Sequence, residues 1–324
     1  MNLPRPALSC RPPRWAKNGH IQTILGNYLP HRSGSPTFVR LEVPLPDGDR
    51  LLIRRFAGDR PIVLCVFHGL GGHDDRPYIQ RVRALGQARG MEVWTVNHRG
   101  CGLGRGLARG TYHSGVAGDL GAVFAAARAA RPDARVMAVG FSLSGNALLL
   151  NLGDGHDGPH AKPDAAIAVN PPVNLRRCCE LISLPQHKLY DTYYVRSCVR
   201  SVLEREHDGL IPVGRYPVYR GMSLAAFDQV YTAPAGGFVD RDDYYARCSA
   251  GPHLSRIQVP TVILHAEDDP FIDAHDLRDA VLGPGVHLHM ERHGGHQGYV
   301  SRDLPQYRYM DYAIGHYLDA LLSL

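Results

Sequence analysis

The sequence predicts an α/β fold in which a mostly parallel central sheet is flanked by helices. Short apolar runs recur along the chain, helical segments lie between them, and this rhythm stops at residues 171–256, where Tyr, Arg and Cys are frequent. Strands that are apolar throughout are typical of parallel sheets covered on both faces. We therefore expect an α/β core made of residues 1–170 and 257–324, with residues 171–256 as a mostly helical cap insertion.

The predicted elements follow one another in an order that suits such a sheet. Residues 38–45 and 51–56 are apolar-rich and are separated by Pro46-Asp47-Gly48-Asp49, which predicts a β-hairpin. Buried strands are predicted at residues 62–67, 91–96, 136–139, 165–169, 261–266 and 286–290. Helices are predicted at residues 78–89 and 119–130, and an amphipathic helix is predicted at residues 307–322.

Composition excludes several classes of protein. Of 324 residues, 44% are hydrophobic and 21% are charged, which is typical of a globular chain and not of a disordered, collagen-like or coiled-coil protein. The longest apolar run, residues 62–67, is far shorter than the roughly 18–20 residues that span a bilayer. The net charge of +5 is spread along the chain, so we expect no nucleic-acid binding. Seven cysteines without a C-x-x-C pair, and no visible secretory signal, predict reduced thiols in a cytoplasmic protein.

A candidate nucleophile lies in residues 136–145, which have the pattern of a strand, a sharp turn and the start of a helix. Ser142 stands at the turn, where a serine is held in a strained conformation with its hydroxyl exposed. Gly140 allows the close approach of the backbones, whereas Ser144 occupies the second glycine position of the G-x-S-x-G pattern. The alternative is an ordinary strand–helix turn with capping serines.

A candidate oxyanion hole follows the strand at residues 62–67. The glycine-rich segment 67–72 can direct a backbone N–H at the carbonyl oxygen of a substrate, and we predict that of Leu70. The N–H of Leu143, directly after the serine, is the predicted second donor. The alternative is a phosphate-binding loop, which the absence of G-x-G-x-x-G and G-K-[ST] disfavours.

The candidate acid and base lie near the end of the chain. Asp268 and Asp269 directly follow the predicted strand 261–266, and the carboxyl ends of such strands are where α/β sheets bind ligands. We predict Asp269 as the acid, with Asp268 as the alternative. His296 lies in a glycine-rich loop after the last strand and is the predicted base, with His293 as the alternative. The chain order Ser, Asp, His is that of α/β-hydrolases.

The histidines in and just before this loop also allow the hypothesis of a metal site. His287, His289, His293 and His296 lie within ten positions, and the first two would share one face of a strand. No H-E-x-x-H and no C-x-x-C accompanies them, so we rank a metal site below the triad and expect neither metal nor cofactor.

These motifs together resemble those of the YheT-like α/β-hydrolases, bacterial relatives of the ABHD1 and ABHD3 lipases. The resemblance covers nearly the whole chain and starts at Trp15-Ala-Lys-Asn-Gly-His-Ile-Gln-Thr23, which is similar to the family signature W-x-x-N-G-H-x-Q-T. It continues through residues 68–72, 97–102, 140–146, 170–172, 237–238, 244–245, 268–270 and 294–298. The resemblance implies an α/β-hydrolase fold with a helical cap and a serine esterase activity without a cofactor. In this family the position of Ser144 is usually glycine.

We therefore expect a serine hydrolase that cleaves carboxylic esters with short or medium acyl chains, lipid esters included, through an acyl-enzyme. A small-molecule or lipid ester is the expected partner, with contact to a membrane surface as an open alternative. Two other functions remain: a non-catalytic binding protein on the same fold, and a metal-dependent hydrolase that uses the late histidines. The sequence carries no signal for an oligomeric state.

Overall fold

The computed structural model describes residues 1–29, 34, 36–156 and 158–324, with the backbone alone at residues 27–28. These residues contain an eight-stranded sheet in the order β1-β2-β4-β3-β5-β6-β7-β8. The strands are β1 (Val39–Pro44), β2 (Arg50–Phe56), β3 (Ile62–Phe67), β4 (Glu92–Asn97), β5 (Arg135–Phe141), β6 (Ala165–Val169), β7 (Thr261–Ala266) and β8 (Val286–Glu291). Strand β2 is antiparallel to both β1 and β4, and the remaining neighbours are parallel. The mostly parallel sheet and the predicted strands are thereby confirmed.

The helices of the described chain lie between and beyond these strands. They are α1 (Gly19–Tyr28), α2 (Pro77–Gln87), α3 (Ala117–Ala130), α4 (Leu143–Leu152), α5 (Leu175–Ile182), α6 (Lys188–His207), α7 (Leu224–Phe227), α8 (Ala233–Ala235), α9 (Arg241–Cys248), α10 (His275–Arg278) and α11 (Tyr309–Leu322). A π-helical turn, Asp228–Thr232, joins α7 to α8. The predicted helices agree with α2, α3 and α11 to within two residues, whereas α1 was not predicted.

Two hydrophobic cores lie on opposite faces of the sheet. Alternate residues of β3 face opposite sides, so Val63, Cys65 and Phe67 join one core and Leu64 and Val66 join the other. Helices α3 and α4 cover the first core, and α2 and α11 cover the second. Because both faces are buried, the parallel strands are apolar along their whole length.

The segment between β6 and β7 is helical. It contains α5 to α9 and the π-helical turn, with no strand in this fully described stretch. It leaves the sheet at the carboxyl end of β6, the edge at which the loops after β3, β5, β7 and β8 also gather. This segment therefore stands beside the predicted site residues.

The first residues of the chain pack along β8. The N–H of Leu3 donates to Nδ1 of His287 at 3.2 Å, and the N–H of Cys10 donates to Oε2 of Glu291 at 3.0 Å. The N–H of Arg11 donates to the Ser301 hydroxyl at 3.1 Å. Helix α1 follows at once, so the beginning of the chain lies beside the loop that carries His296. No helix in the described ranges is long and apolar enough to cross a bilayer.

Candidate active site

Ser142 is held in a strained turn between β5 and α4. Its backbone has φ 51° and ψ −119°, in the left-handed region that non-glycine residues rarely adopt. The turn is fixed from both sides, because the Ser142 N–H donates to the Val169 carbonyl at 2.8 Å and its carbonyl accepts the N–H of Asn146. A Cβ at Gly140 would lie 2.7 Å from the Ser144 carbonyl oxygen, so this position requires glycine. The hydroxyl of Ser142 opens into a cavity.

His296 connects Ser142 to Asp269 through a continuous chain of hydrogen bonds. Nε2 of His296 is 3.0 Å from the Ser142 hydroxyl, and Nδ1 is 2.8 Å from Oδ2 of Asp269. Burial by itself would raise the pKa of Asp269, but the charge of His296 and its hydrogen bond outweigh that effect and lower the pKa below its ordinary value. Asp269 is therefore suited to remain a carboxylate beside a protonated imidazole.

The neighbouring acid and base candidates form a separate pair. Oδ2 of Asp268 is 3.3 Å from Nδ1 of His293, and Oδ1 of Asp268 accepts the N–H groups of Gly294 and Gly295, each at 2.8 Å. Asp268 thus holds the backbone of the loop that carries His296. The structure brings Asp269, and not Asp268, to the imidazole of His296.

Sequence reasoning missed Asn170, which braces the acid. Its side-chain amide donates to Oδ2 of Asp269 at 2.8 Å and to the Gly295 carbonyl at 3.2 Å. Its own oxygen accepts the hydroxyl of Tyr299 at 3.0 Å. Asn170 also has a positive φ of 46° directly after β6, a conformation that asparagine tolerates better than most residues. The motif Asn170-Pro171-Pro172 marked this position in the sequence, but not its role.

Helix α1 supports the imidazole from the other side. The Thr23 hydroxyl accepts the backbone N–H of His296 at 2.8 Å, and Gln22 Oε1 accepts the N–H of Val300 at 2.6 Å. A Cβ at Gly295 would lie 2.3 Å from the Gly19 carbonyl oxygen, so the helix and the loop are in direct backbone contact. The segment from Trp15 to Thr23, whose role the sequence left open, thus packs against the loop that carries His296.

Two backbone N–H groups lie near Ser142 without a hydrogen-bond acceptor in the described chain. Leu143 is the first residue of α4, where helix N–H groups have no partner within the helix. Leu70 follows β3 and lines the same cavity as Ser142 and Leu143. The loop passes close to the serine, because a Cβ at Gly69 would lie 3.0 Å from Cβ of Ser142. Of the two predicted oxyanion donors, Leu143 directly follows the serine in the chain and Leu70 lines the same cavity.

The cavity above Ser142 is formed by residues of the α/β core and of the helical segment between β6 and β7. Its volume is about 380 Å³, within the range of small-molecule sites. The apolar side chains that this helical segment contributes to the lining are Leu175, Ile182, Tyr194, Leu224 and Phe227. Leu70, Phe271 and Ile272 contribute apolar side chains from outside this segment. Arg76, Arg200 and Arg205 also line the cavity. The lining of the cavity thus contains both apolar and positively charged side chains.

The late histidines other than His296 have structural partners. His289 lies between Glu291 Oε1, at 2.8 Å, and the Tyr317 hydroxyl, at 2.6 Å. His287 is 3.3 Å from the same hydroxyl and accepts the N–H of Leu3. His287 and His289 share one face of β8, but that face packs against α11 and the start of the chain. Within the described ranges no three His, Cys, Asp or Glu side chains converge in a way that could hold a metal ion.

Comparison with protein families and curated sequences gives consistent matches. The family described as "Alpha/beta hydrolase family" matches residues 62–307. YheT of Escherichia coli (strain K12), an esterase by name, is 32% identical over 303 residues, which cover 90% of this chain and 87% of that protein. Phospholipase ABHD3 of Homo sapiens is 28% identical over 327 residues, which cover 96% of this chain and 79% of that protein.

Solved structures agree on the fold. The esterase Pf2001 of Pyrococcus furiosus superimposes with a TM-score of 0.60 over 90% of this chain and 98% of its own. Alpha/beta hydrolase domain-containing protein 10 from mouse superimposes with a TM-score of 0.52 over 89% of this chain and 98% of its own. The identities are 13% and 14%, so these likenesses concern the fold alone.

Proposed function

Because this chain belongs to the alpha/beta hydrolase family, we propose that it is a serine esterase whose nucleophile, base and acid are Ser142, His296 and Asp269. Relatives are named as esterase, phospholipase and monoacylglycerol lipase, and all these activities cleave ester bonds. The chain is an ester-cleaving hydrolase. The observation that carries the assignment of roles is the hydrogen-bond chain from the Ser142 hydroxyl through His296 to Asp269.

The first half of the proposed reaction forms an acyl-enzyme. Nε2 of His296 accepts the hydroxyl proton of Ser142 as its oxygen attacks the ester carbonyl carbon. The positive charge that develops on the imidazole is stabilised by the carboxylate of Asp269. The N–H groups of Leu70 and Leu143 donate to the oxyanion of the tetrahedral intermediate. His296 then gives the proton to the leaving alcohol.

The second half releases the acid. A water molecule takes the place of the alcohol, and His296 accepts its proton while the oxygen attacks the acyl carbon. The same N–H groups stabilise the second oxyanion. Collapse of this intermediate frees the carboxylic acid and returns the proton to Ser142, so that no cofactor takes part in the cycle.

The cavity supports a substrate with a short or medium acyl chain. We propose that residues 171–256 act as the cap and that its apolar side chains, such as Leu175 and Phe227, contact that chain. A volume of about 380 Å³ suits a small ester better than a long lipid tail. We propose that Arg76 and Arg200, which also line the cavity, contact the polar part of the substrate.

The test of the nucleophile is Ser142→Ala. It should abolish hydrolysis of nitrophenyl esters and labelling by a fluorophosphonate, with a fall in kcat of at least about a thousandfold, because triad members contribute orders of magnitude. Circular dichroism and thermal melting of the variant check that the fold persists. Activity above about a hundredth of that of the unmodified protein would overturn the assignment.

A chain-length series defines the substrate class. We expect kcat/KM to be highest for nitrophenyl esters of short or medium acids and to fall for long-chain esters, since a cavity of about 380 Å³ has little room for a long chain. A maximum at the longest chains would contradict the proposed substrate size. Ser142→Ala serves as the blank for each ester and removes the contribution of uncatalysed hydrolysis.

We also propose that the protein works in a reducing compartment, the cytoplasm. This rests on its seven cysteines, which form no C-x-x-C pair and five of which are buried. Fractionation of cells that produce the tagged full-length chain tests it. Recovery of the tag in an oxidising compartment would contradict the proposal.

A further inference from the structure

The hydroxyl group of Ser144 makes hydrogen bonds that a small residue without a hydroxyl could not make. It is the second residue of α4, it is fully buried, and its hydroxyl faces three polar groups. These are the His68 carbonyl, Nε2 of His98 at 2.7 Å and the Tyr112 hydroxyl at 2.8 Å. The three partners come from the ends of β3 and β4 and from the loop before α3. Ser144 therefore connects the serine turn to the glycine-rich loop after β3.

The direction of these hydrogen bonds follows from the protons available. Nδ1 of His98 is buried and has no partner in the described chain. Since a buried N–H is seldom left unpaired, we assign the ring proton to Nε2, which donates to the Ser144 oxygen. Burial lowers the pKa of His98 well below its ordinary value, so the ring carries a single proton. The proton of Ser144 is then available for the His68 carbonyl oxygen, to which the Ser144 hydroxyl donates.

Tyr112 reinforces the same contact. Its hydroxyl is 3.1 Å from the His68 carbonyl oxygen as well as 2.8 Å from Ser144. Its ring stacks on that of His98, with centroids 3.9 Å apart and planes inclined by 4°. The ring that donates to Ser144 is thereby held in place, and two hydroxyl groups converge on one carbonyl oxygen.

The peptide unit that contains the His68 carbonyl and the next peptide unit of the loop are each held by further hydrogen bonds. The Gly69 N–H, which shares a peptide plane with the His68 carbonyl, donates to the Tyr78 hydroxyl at 3.1 Å. The Gly69 carbonyl accepts Nδ1–H of His68 at 2.8 Å and the N–H of Gly72 at 3.1 Å. Because a peptide unit is planar, a fixed Gly69 carbonyl also fixes the direction of the Leu70 N–H.

We propose that Ser144, supported by His98 and Tyr112, is a positioning residue for oxyanion binding. By holding the His68 carbonyl it orients the loop so that the Leu70 N–H points at the carbonyl oxygen of the bound ester. The proposal rests on the proposed function, since it needs an oxyanion at Ser142. Its benefit is realised in the transition state, because a preorganised donor does not have to reorient while charge develops.

The main test is Ser144→Ala assayed with a nitrophenyl ester. We expect kcat to fall by about ten- to a hundredfold, less than the direct loss of a donor, while KM stays within about twofold. Affinity for a trifluoromethyl ketone, which forms a tetrahedral adduct with Ser142, should weaken in the same proportion as kcat/KM. Unchanged kcat and ketone affinity, or a loss carried by KM alone, would overturn the proposal.

Tyr112→Phe gives a second variant that keeps the ring and its stacking on His98. It should show the same kind of loss, smaller than that of Ser144→Ala. Both hydroxyl groups act on the His68 carbonyl. The increase in activation free energy that follows from kcat should therefore be smaller in the double variant than the sum of the increases in the two single variants. Strictly additive losses would contradict a shared role.

Tyr317→Phe is the matched control. Its hydroxyl is equally buried but contacts His289, far from the loop in the chain and on the side of α11. We expect it to lower the melting temperature with no change in kcat or ketone affinity. An equal fall in kcat would mean that Ser144→Ala acts through general destabilisation, and would refute the positioning role.

The outcome for Ser142→Ala separates this inference from the proposed function. An inactive Ser142→Ala together with a fully active Ser144→Ala refutes the positioning role alone. A Ser142→Ala variant that keeps both hydrolysis and labelling overturns the serine mechanism itself, and with it the oxyanion that Ser144 is proposed to serve.

Discussion

At the scale of single residues, two adjacent carboxylates have different surroundings. Asp269 lies against His296 and Asn170, with no exposed side-chain surface, whereas Asp268 holds the backbone of the loop and is about a fifth exposed. In the sequence the two carboxylates stand next to each other at the end of the same strand, with Asp268 as the alternative acid. The physical difference arises in the turn after β7, where one side chain faces the sheet edge and the next faces the loop.

Asp269→Asn should therefore reduce kcat far more than Asp268→Asn. The amide cannot stabilise a positive imidazole and favours the wrong tautomer, which in a triad lowers kcat by about ten-thousandfold. Asp268→Asn keeps an acceptor for the loop N–H groups, and we expect a fall of no more than about tenfold. Steady-state kinetics of both variants decides the matter, and a larger loss from Asp268→Asn would transfer the role of acid to that residue.

At the scale of elements, the buried strands were predictable and α1 was not. A strand covered on both faces has to be apolar, so β3, β5 and β7 are visible as runs of apolar letters. Helix α1 contains His20, Gln22 and Thr23, whose polar groups look like those of a surface loop. Their partners, such as His296 and Val300, lie near the other end of the chain, and no local pattern reports a contact of that length.

Thr23→Val tests α1 as the support of the base. The valine cannot accept the N–H of His296, and an unpaired buried N–H costs about 1–3 kcal/mol. We expect a lower melting temperature and a fall in kcat of about tenfold. Thr95→Val on β4 is the control, since the Thr95 hydroxyl is buried without a hydrogen bond in the described chain and should be dispensable. Equal kinetics of the two variants would argue against α1 as a support.

The π-helical turn carries a second element-scale prediction, on the pH dependence of stability. Burial raises the pKa of Asp228 to about 6, although hydrogen bonds from Thr232 and Tyr245 act in the opposite direction. The folded protein therefore holds a proton that the unfolded chain has lost between about pH 4 and pH 6, and stability falls as pH rises through that window.

Asp228→Asn should remove this dependence. The neutral amide carries no charge to bury, so we expect the variant to be more stable than the unmodified protein at pH 7, by up to about 3 kcal/mol, and similar to it at pH 4. Denaturant unfolding at both pH values measures the difference. A stability gap of the same size at both would show that titration of Asp228 is not its cause.

At the scale of the whole molecule, the start of the chain is fastened to its last strand and helix. His287, His289 and Glu291 on β8 form a buried polar network with Tyr309 and Tyr317 of α11, to which Leu3 and Cys10 also bond. Spacing in the sequence placed the two histidines correctly on one face of a strand. Spacing alone could not distinguish a strand face that binds a metal ion from one that packs against the first residues of the chain.

Metal removal distinguishes a metal-binding role of these histidines from a structural role. We expect activity to be unaffected by EDTA and the purified protein to contain no stoichiometric zinc, because the described side chains offer no ligand cluster. His289→Ala should lower the melting temperature and leave kcat of the folded fraction nearly unchanged. Zinc that is bound in stoichiometric amount and lost together with activity would instead favour the metal-dependent reaction.

The contact between Thr23 and His296 also bears on when the protein becomes active during its synthesis. The two residues are 273 positions apart, and a ribosome that adds roughly 5–20 residues per second completes the helix roughly 15–55 seconds before the loop it supports. The serine turn and the helical segment after β6 emerge in that interval, while the base does not yet exist. On the proposed mechanism, a chain whose synthesis has not yet reached His296 bears a nucleophile that cannot attack, so hydrolysis begins only after the loop of His296 has been made.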